Sequence, residues 1–293
     1  MPCQCTSTNI DAFVNADTAC RVPTNLTNDP SSFNHMHELH LTVQDQIATV
    51  TITRPEQHNA VTYAMWRALP ALCRRIDEDE TVRVVVWRGA GEEAFSAGGD
   101  IAEFREQRSN RSQAVAYNAC VQTALDAMLA VHKPSIALIT GYCVGGGFIL
   151  AAHCDLRIAA DNARFGLPVA RLGFLITYPQ MQRFVQMFGA SVVSDLLLTA
   201  RLLDAPQALA AGLCSQVHPL ATIDDAVLHL AQTMTRLSPL TQRWHKAMLQ
   251  TVLHKPDLSQ LTDAEIAVVD GMFDSADYAE GVRAFVEKRS PRF

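Results

Sequence analysis

Between Lys133 and Asp155 the chain runs for 21 residues without Lys, Arg, Asp or Glu. A stretch so free of charge belongs either in a bilayer or inside a fold. A span needs about 20 predominantly apolar residues in one helix. This stretch begins with Pro134, contains Gly141, and is divided by Gly145-Gly146-Gly147. Each interior glycine costs a helix about 1 kcal/mol. The stretch therefore reads as a buried strand over 135–140, a tight turn, and a buried helix over 148–154. Asp155 to Ala160 reads as a strand again. Strand, turn, helix, strand is the order of an α/β fold with parallel pairing.

The flanking sequence agrees. Leu39, Leu41 and Val43 alternate, Asp45-Gln46 supplies a turn, and Ala48, Val50 and Ile52 alternate again, which is a hairpin. Met65, Leu69, Leu72, Cys73 and Ile76 follow helical spacing, with Pro70 expected to kink that helix. Val82 to Trp87, apolar except for Arg83, reads as a short strand, the pattern of burial on both faces. A helix is expected over 112–131. Asp204 and Gly212 bracket a short helix, and Cys214–His218 reads as a last strand. Beyond residue 222 only helices are expected, broken near Pro239 and Pro256, with Ser275-Ala276-Asp277 starting the final one. The expected divisions are a loose N-terminal extension (1–37), an α/β core (38–221) and a helical C-terminal region (222–293).

Composition narrows the function. Hydrophobic residues make up 48% of the 293 and charged residues 18%, so much of the chain must be buried, some of it in an oligomer interface. The net charge of −6 gives no general attraction to phosphate backbones, which argues against a nucleic-acid partner. The eight cysteines contain no C-x-x-C pair and no zinc spacing with histidines, so no metal is expected. Cys73 and Cys154 sit in apolar runs, where a thiol acts as a small hydrophobe. Residues 1–20 lack a basic start and an apolar stretch. Cytoplasmic localisation, with no membrane partner, is the expectation.

Two glycine turns carry whatever chemistry there is. Gly98-Gly99-Asp100 and Gly145-Gly146-Gly147 each stand after a strand and before a helix. Glycine lets backbone approach a ligand closely, and a helix start leaves N–H groups free. Two such N–H groups from different loops make an oxyanion hole. Neither turn is a dinucleotide fingerprint or a phosphate-binding loop.

Taken together with their flanks, the turns resemble the crotonase superfamily, the enoyl-CoA hydratase/isomerase relatives. The matching stretches are RPEQHNA (54–60), AFSAGGDI (94–101), KPSIALITGYCVGGG (133–147), CDLRIAADNARFG (154–166) and EGVRAFVEKR (280–289). The resemblance covers about residues 38–293. It implies a spiral of ββα turns and a helical C-terminal region that builds homotrimers, often stacked as hexamers. It implies an acyl-CoA thioester as substrate, with coenzyme A arriving as part of it and no prosthetic group. It places the oxyanion donors on Gly99 and Gly146. It implies CoA contacts from His58, Ala60, Ala97, Gly99, Asp100, Ile101 and Ala102, the last standing where many relatives carry Lys. Asp100 is expected to cap its helix, and Glu103 to face solvent.

The chain departs from the family at the acids. Hydratases of the family place one glutamate two residues after the glycine triplet and another twenty residues later. Here those positions are Ile149 and Val169, which line the expected acyl pocket and can move no proton. Polar candidates in the following loop are Arg171, Thr177, Tyr178 and Gln180, with Tyr178 carried forward as an acid/base or polar contact. The reaction is therefore left open at this stage. Overall likeness favours a hydratase or isomerase; the altered acids favour a decarboxylase-like use of the oxyanion hole. The alternative is a catalytically inactive homologue that only binds acyl-CoA.

Overall fold

The computed structural model describes residues 38–293. The expected N-terminal extension, with Cys3, Cys5 and Cys20, lies outside the described residues.

The hairpin forms as its alternation demands. β1 (Leu39–Gln44) and β2 (Ile47–Ile52) are antiparallel, with Leu39 opposite Ile52. Asp45 and Gln46 both take positive φ, 50° and 66°, which suits a two-residue hairpin turn to the strands' twist. α1 (Tyr63–Glu78) follows. The Thr62 hydroxyl caps it, accepting from the Met65 N–H at 3.2 Å. Its buried stripe is Met65, Trp66, Leu69, Leu72, Cys73 and Ile76, one helical face. The helix continues unbroken through Pro70. Leu69 and Leu72 anchor both halves in the core, so the missing N–H does not end it.

From here one move repeats three times. β3 (Val84–Gly89) enters a large sheet, β4 (Ala94–Ser96) a small one, and α2 (Phe104–Gln107) and α3 (Arg111–Ala130) bring the chain back. β5 (Ser135–Ile139), β6 (Tyr142–Val144) and α4 (Gly146–Ala151) do the same. So do β7 (Leu156–Ala160), β8 (Arg164–Gly166) and α5 (Tyr178–Thr199). Each turn adds one parallel strand to each sheet: β3, β5 and β7 pair in the large sheet, β4, β6 and β8 in the small one. This is the expected ββα spiral. β9 (Leu203–Asp204) closes the small sheet antiparallel to β8, and β10 (Gln216–His218) extends the large sheet beside β7.

The central strands of the large sheet, β3 and β5, are buried on both faces, and period-2 alternation sorts their side chains. Val85, Trp87, Ala137 and Ile139 face a core shared with α1, α3, α4 and α5. Val84, Val86, Ile136 and Leu138 face the other way. There α7 (Ile223–Thr235) covers them with Ile223, Val227 and Ala231. Between β9 and β10 in the chain, α6 (Ala205–Ala210) is capped by Asp204, which accepts from the Gln207 N–H at 3.0 Å.

Pro239 opens α8 (Pro239–His254), a position where its missing N–H costs nothing. Lys246 of α8 is buried against the sheet, its Nζ 2.8 Å from Asp155 Oδ2 and 2.9 Å from the Lys133 carbonyl. Asp155 Oδ2 also accepts from the Ser135 N–H and hydroxyl, so this carboxylate is structural. α9 (Asp263–Gly271) and α10 (Ala276–Val286) complete the chain; Ile266, Phe285 and Val286 on them and Phe273 in the turn between them are exposed. Among the described residues no helix is long and apolar enough to cross a membrane.

Candidate active site

The topology brings the two glycine turns together. β4 and β6 are parallel neighbours, so the turns that leave their carboxyl ends lie side by side. In parallel sheets, ligands bind beyond those ends. The Val61 N–H donates to the Gly98 carbonyl at 2.7 Å and the Asp100 N–H to the Val61 carbonyl at 2.9 Å. The Gly145 N–H donates to the Gly166 carbonyl at 2.9 Å, which ties in the next turn, after β8. Among the described residues no protein acceptor takes the N–H of Gly99 or of Gly146. Gly98 has φ 114° and its carbonyl and amide are fixed by Val61 and Ser96. A Cβ placed on Gly146 would stand 3.0 Å from the Gly99 nitrogen and 3.5 Å from Trp66 Cζ2. The two free N–H groups thus border one small space.

Aromatic side chains wall that space. A Cβ on Gly99 would stand 3.5 Å from the Tyr117 hydroxyl and 3.6 Å from the Phe104 ring edge. Tyr117 stacks on Tyr63 at 5.4 Å between ring centres and meets Phe104 edge-on at 6.0 Å. Phe174, from the loop before α5, meets Phe104 edge-on at 6.1 Å. Burial pushes the Tyr117 hydroxyl up to about 12, against the opposing pull of the Arg108 cation. It therefore stays protonated across the physiological range. The buried Trp66 indole N–H has the Tyr117 hydroxyl as its polar neighbour. Arg108 lies over three rings, 4.9 Å from the centre of Phe104, 4.8 Å from Tyr117 and 4.9 Å from Phe174.

The other expected residues fall into two groups. His58, Ala97, Ile101 and Ala102 are exposed, and Ala60 is half-buried. Together they form an accessible rim beside Gly99, held by the Ala97 N–H on the His58 carbonyl at 2.9 Å. Asp100 caps as expected, accepting from the Ala102 N–H at 3.0 Å, and it also pairs with Arg54 at 2.9 Å. Glu103 is turned inward and not to solvent: its Oε2 accepts the Tyr63 N–H at 2.7 Å and so caps α1. Asn59, which the sequence reading passed over, is fully buried and pins this loop. Its Nδ2 donates to the Ala90 and Ala94 carbonyls at 3.0 and 2.7 Å, and its Oδ1 accepts from the Arg54 N–H at 3.0 Å.

At the acid positions the side chains are aliphatic and inside. Val169 is buried and Ile149 packs on the core. The next candidates do not replace them. Tyr178 opens α5 with 91% of its surface exposed, and the tyrosine beside Gly99 is Tyr117 instead. Arg171 is exposed. Gln180 is buried, and its Oε1 accepts from the Thr177 N–H at 3.2 Å, closing the start of α5. Tyr117 and Arg108 carried no recognisable signal. Tyr117 lies in α3, 18 residues after Gly99, and Arg108 in the bend between α2 and α3, 9 residues after it, in no motif.

Comparison with known proteins matches this arrangement. A family model for enoyl-CoA hydratase/isomerase covers residues 42–293. The 2,3-dehydroadipyl-CoA hydratase of Escherichia coli (strain K12) is 33% identical over 261 residues, spanning 88% of this chain and 99% of the relative. An enoyl-CoA hydratase/carnithine racemase from Magnetospirillum magneticum superposes with a TM-score of 0.83 at 37% identity, over 87% of this chain and 94% of that one. DspI of Pseudomonas aeruginosa superposes at 0.82 and 31% identity, over 90% and 100%.

Proposed function

Because the chain belongs to the enoyl-CoA hydratase/isomerase family and is an enzyme of acyl-CoA thioesters, we propose that it works by holding a thioester enolate oxygen between the Gly99 and Gly146 N–H groups. The observation that carries this reading is the pair of uncommitted N–H groups bordering one space. Donors fixed before reaction need no reorganisation when charge develops, and losing one typically costs about 10²–10³ in rate. The CoA arm crosses the exposed rim of His58, Ala60, Ala97, Asp100, Ile101 and Ala102. The acyl group enters toward Ile149, Val169 and the aromatic wall.

With Ile149 and Val169 in place of carboxylates, the enolate needs a source other than proton abstraction by glutamate. Loss of carbon dioxide from a malonyl-type thioester asks least of such a site. The bond from Cα to the carboxylate carbon breaks, its electron pair moves into the thioester enolate, and Cα then takes a proton. Tyr117 is the group we assign to that delivery, since its hydroxyl is the polar side-chain group beside Gly99 and stays protonated. Solvent reprotonates it. The exposed apolar side chains of α9 and α10 support assembly as a homotrimer or a dimer of trimers, and the cytoplasm is the compartment we infer.

The test is turnover of malonyl-type, enoyl, β-hydroxy and aromatic CoA esters followed by mass spectrometry. Loss of carbon dioxide supports the proposal. Addition or loss of water gives the family's hydratase reaction instead and overturns the decarboxylase assignment. Binding without any change, with double-bond migration excluded, gives the inactive acyl-CoA-binding homologue.

A further inference from the structure

The Arg108 guanidinium is half-buried and has no carboxylate facing it. Its one hydrogen bond among the described residues runs from Nη2 to Asn118 Oδ1 at 3.2 Å. Guanidinium offers five N–H donors, so most of its capacity is unused. The Glu103 carboxylate is directed to the Tyr63 N–H and forms no ion pair with Arg108 among the described residues. Other cations of the described fold are met differently. Arg54 pairs with Glu38 and Asp100, Lys246 with Asp155, and Arg157 with the Leu213 and Cys154 carbonyls.

Burial alone draws the Arg108 pKa down, the mark of a charge whose lost hydration is not replaced. The three rings give part of the compensation through their faces. They also fix the group's position, because a guanidinium within 5 Å of three ring centres has little freedom left. The same rings lead back to the reaction space. Tyr117 and Phe104 border Gly99, and the Phe174 N–H rests on the Val169 carbonyl at 3.4 Å. An acyl chain lying along this wall from the thioester ends near Arg108.

We propose that Arg108, backed by Asn118 and cradled by Phe104, Tyr117 and Phe174, receives a carboxylate at the far end of the acyl group, so that the enzyme's ligands are acyl-CoA thioesters with a distal carboxylate. This rests on the acyl-CoA reading above and names the acyl class within it. The carboxylate bound here is retained and is additional to the one lost from Cα, so the decarboxylated product is the monothioester of a dicarboxylic acid; a cation holding the departing carboxylate would stabilise the ground state and oppose its loss. Planar, two-pronged recognition of carboxylate is what guanidinium does well.

Calorimetric titration tests this with butyryl-CoA, succinyl-CoA, glutaryl-CoA and adipyl-CoA, on the native protein and on Arg108→Gln and Arg108→Lys. The native protein is expected to bind its preferred dicarboxylic ester at least tenfold tighter than butyryl-CoA. Arg108→Gln is expected to abolish that preference while leaving butyryl-CoA affinity within about threefold, and Arg108→Lys to keep part of it. A purely packing role for Arg108 would change all four affinities together. Equal affinity for butyryl-CoA and all three dicarboxylic esters in the native protein overturns the proposal without touching the acyl-CoA reading. So does a preference that survives Arg108→Gln. Failure of the native protein to bind any of the four esters overturns both.

Discussion

The backbone nitrogen of Gly99 lies 3.0 Å from the point that a Cβ on Gly146 would occupy. The two residues are 47 positions apart in sequence, yet neighbouring parallel strands deliver them to one place. Gly147 stands differently: a Cβ there would lie 2.3 Å from the Ser96 carbonyl oxygen. Gly146→Ala is therefore expected to fold and to lose activity about tenfold or more, as its methyl enters the reaction space. Gly147→Ala must push backbone apart and is expected to lose about 1–3 kcal/mol of stability. Thermal unfolding of both variants beside their rates separates the two effects. Equal loss of stability in both would contradict the geometry.

Tyr117→Phe keeps the ring stacked on Tyr63 and under Arg108 and removes only the hydroxyl. With the hydroxyl as proton donor, kcat is expected to fall about 10²-fold, with KM within a few-fold. Because the hydroxyl is held near 12, the native rate should show no alkaline limb from this residue below about pH 10. A kcat unchanged in Tyr117→Phe would remove it from the mechanism.

His153 gives a pH signature that belongs to the fold. It is buried, its Nδ1 is 2.7 Å from the Ile149 carbonyl, and burial, with the nearby Arg183 cation, lowers its pKa from 6.5 to about 3. Between those values the unfolded chain holds a proton that the folded chain refuses, so stability falls as pH drops below 6.5. The slope from this one group approaches about 1.4 kcal/mol per pH unit. Denaturant unfolding from pH 7 to pH 4.5 should show that decline, and His153→Asn should flatten part of it. An identical slope in the variant would contradict the assignment.

Asn59 holds the loop that carries the expected CoA contacts. Asn59→Ala leaves the Ala90 and Ala94 carbonyls and the Arg54 N–H without their partner. The expected cost is about 2–3 kcal/mol. Weaker binding of CoA esters should accompany it, read by the same calorimetry. A stability within 0.5 kcal/mol of native, by the approximate scatter of surface substitutions, would mean the loop is held elsewhere.

Much of this architecture is legible in the residues. The alternation at 39–52 marks the hairpin, and the uncharged stretch after Lys133 reads as a strand, a turn and a helix, between which the structure adds β6. Strands β4, β6 and β8 escaped notice because three residues show no period. They are nevertheless the strands that bring Gly99 and Gly146 together. Substitution at the acid positions was visible as Ile149 and Val169, whereas the polar group beside the site was not. Tyr178 stands in the loop that follows the acid positions, yet it opens α5 exposed, because loop position does not fix where a side chain lies. Tyr117 reaches the site through the packing of α3, and Arg108 from the bend before it through contact with three rings, which no local pattern encodes. Glu103, read as solvent-facing, is drawn in by the free N–H at the start of α1.

The central claim is that two backbone N–H groups, and not a pair of side-chain acids, carry the chemistry. Gly146→Pro removes one of them at a helix position that tolerates proline. The most direct measurement is single-turnover conversion of the preferred CoA ester by the native protein and by Gly146→Pro, each saturated with ester and checked for fold by thermal unfolding. The account predicts a rate lower by about 10²–10³ in the variant, with the unreactive butyryl-CoA still bound. A native-like rate in a folded Gly146→Pro protein would contradict it.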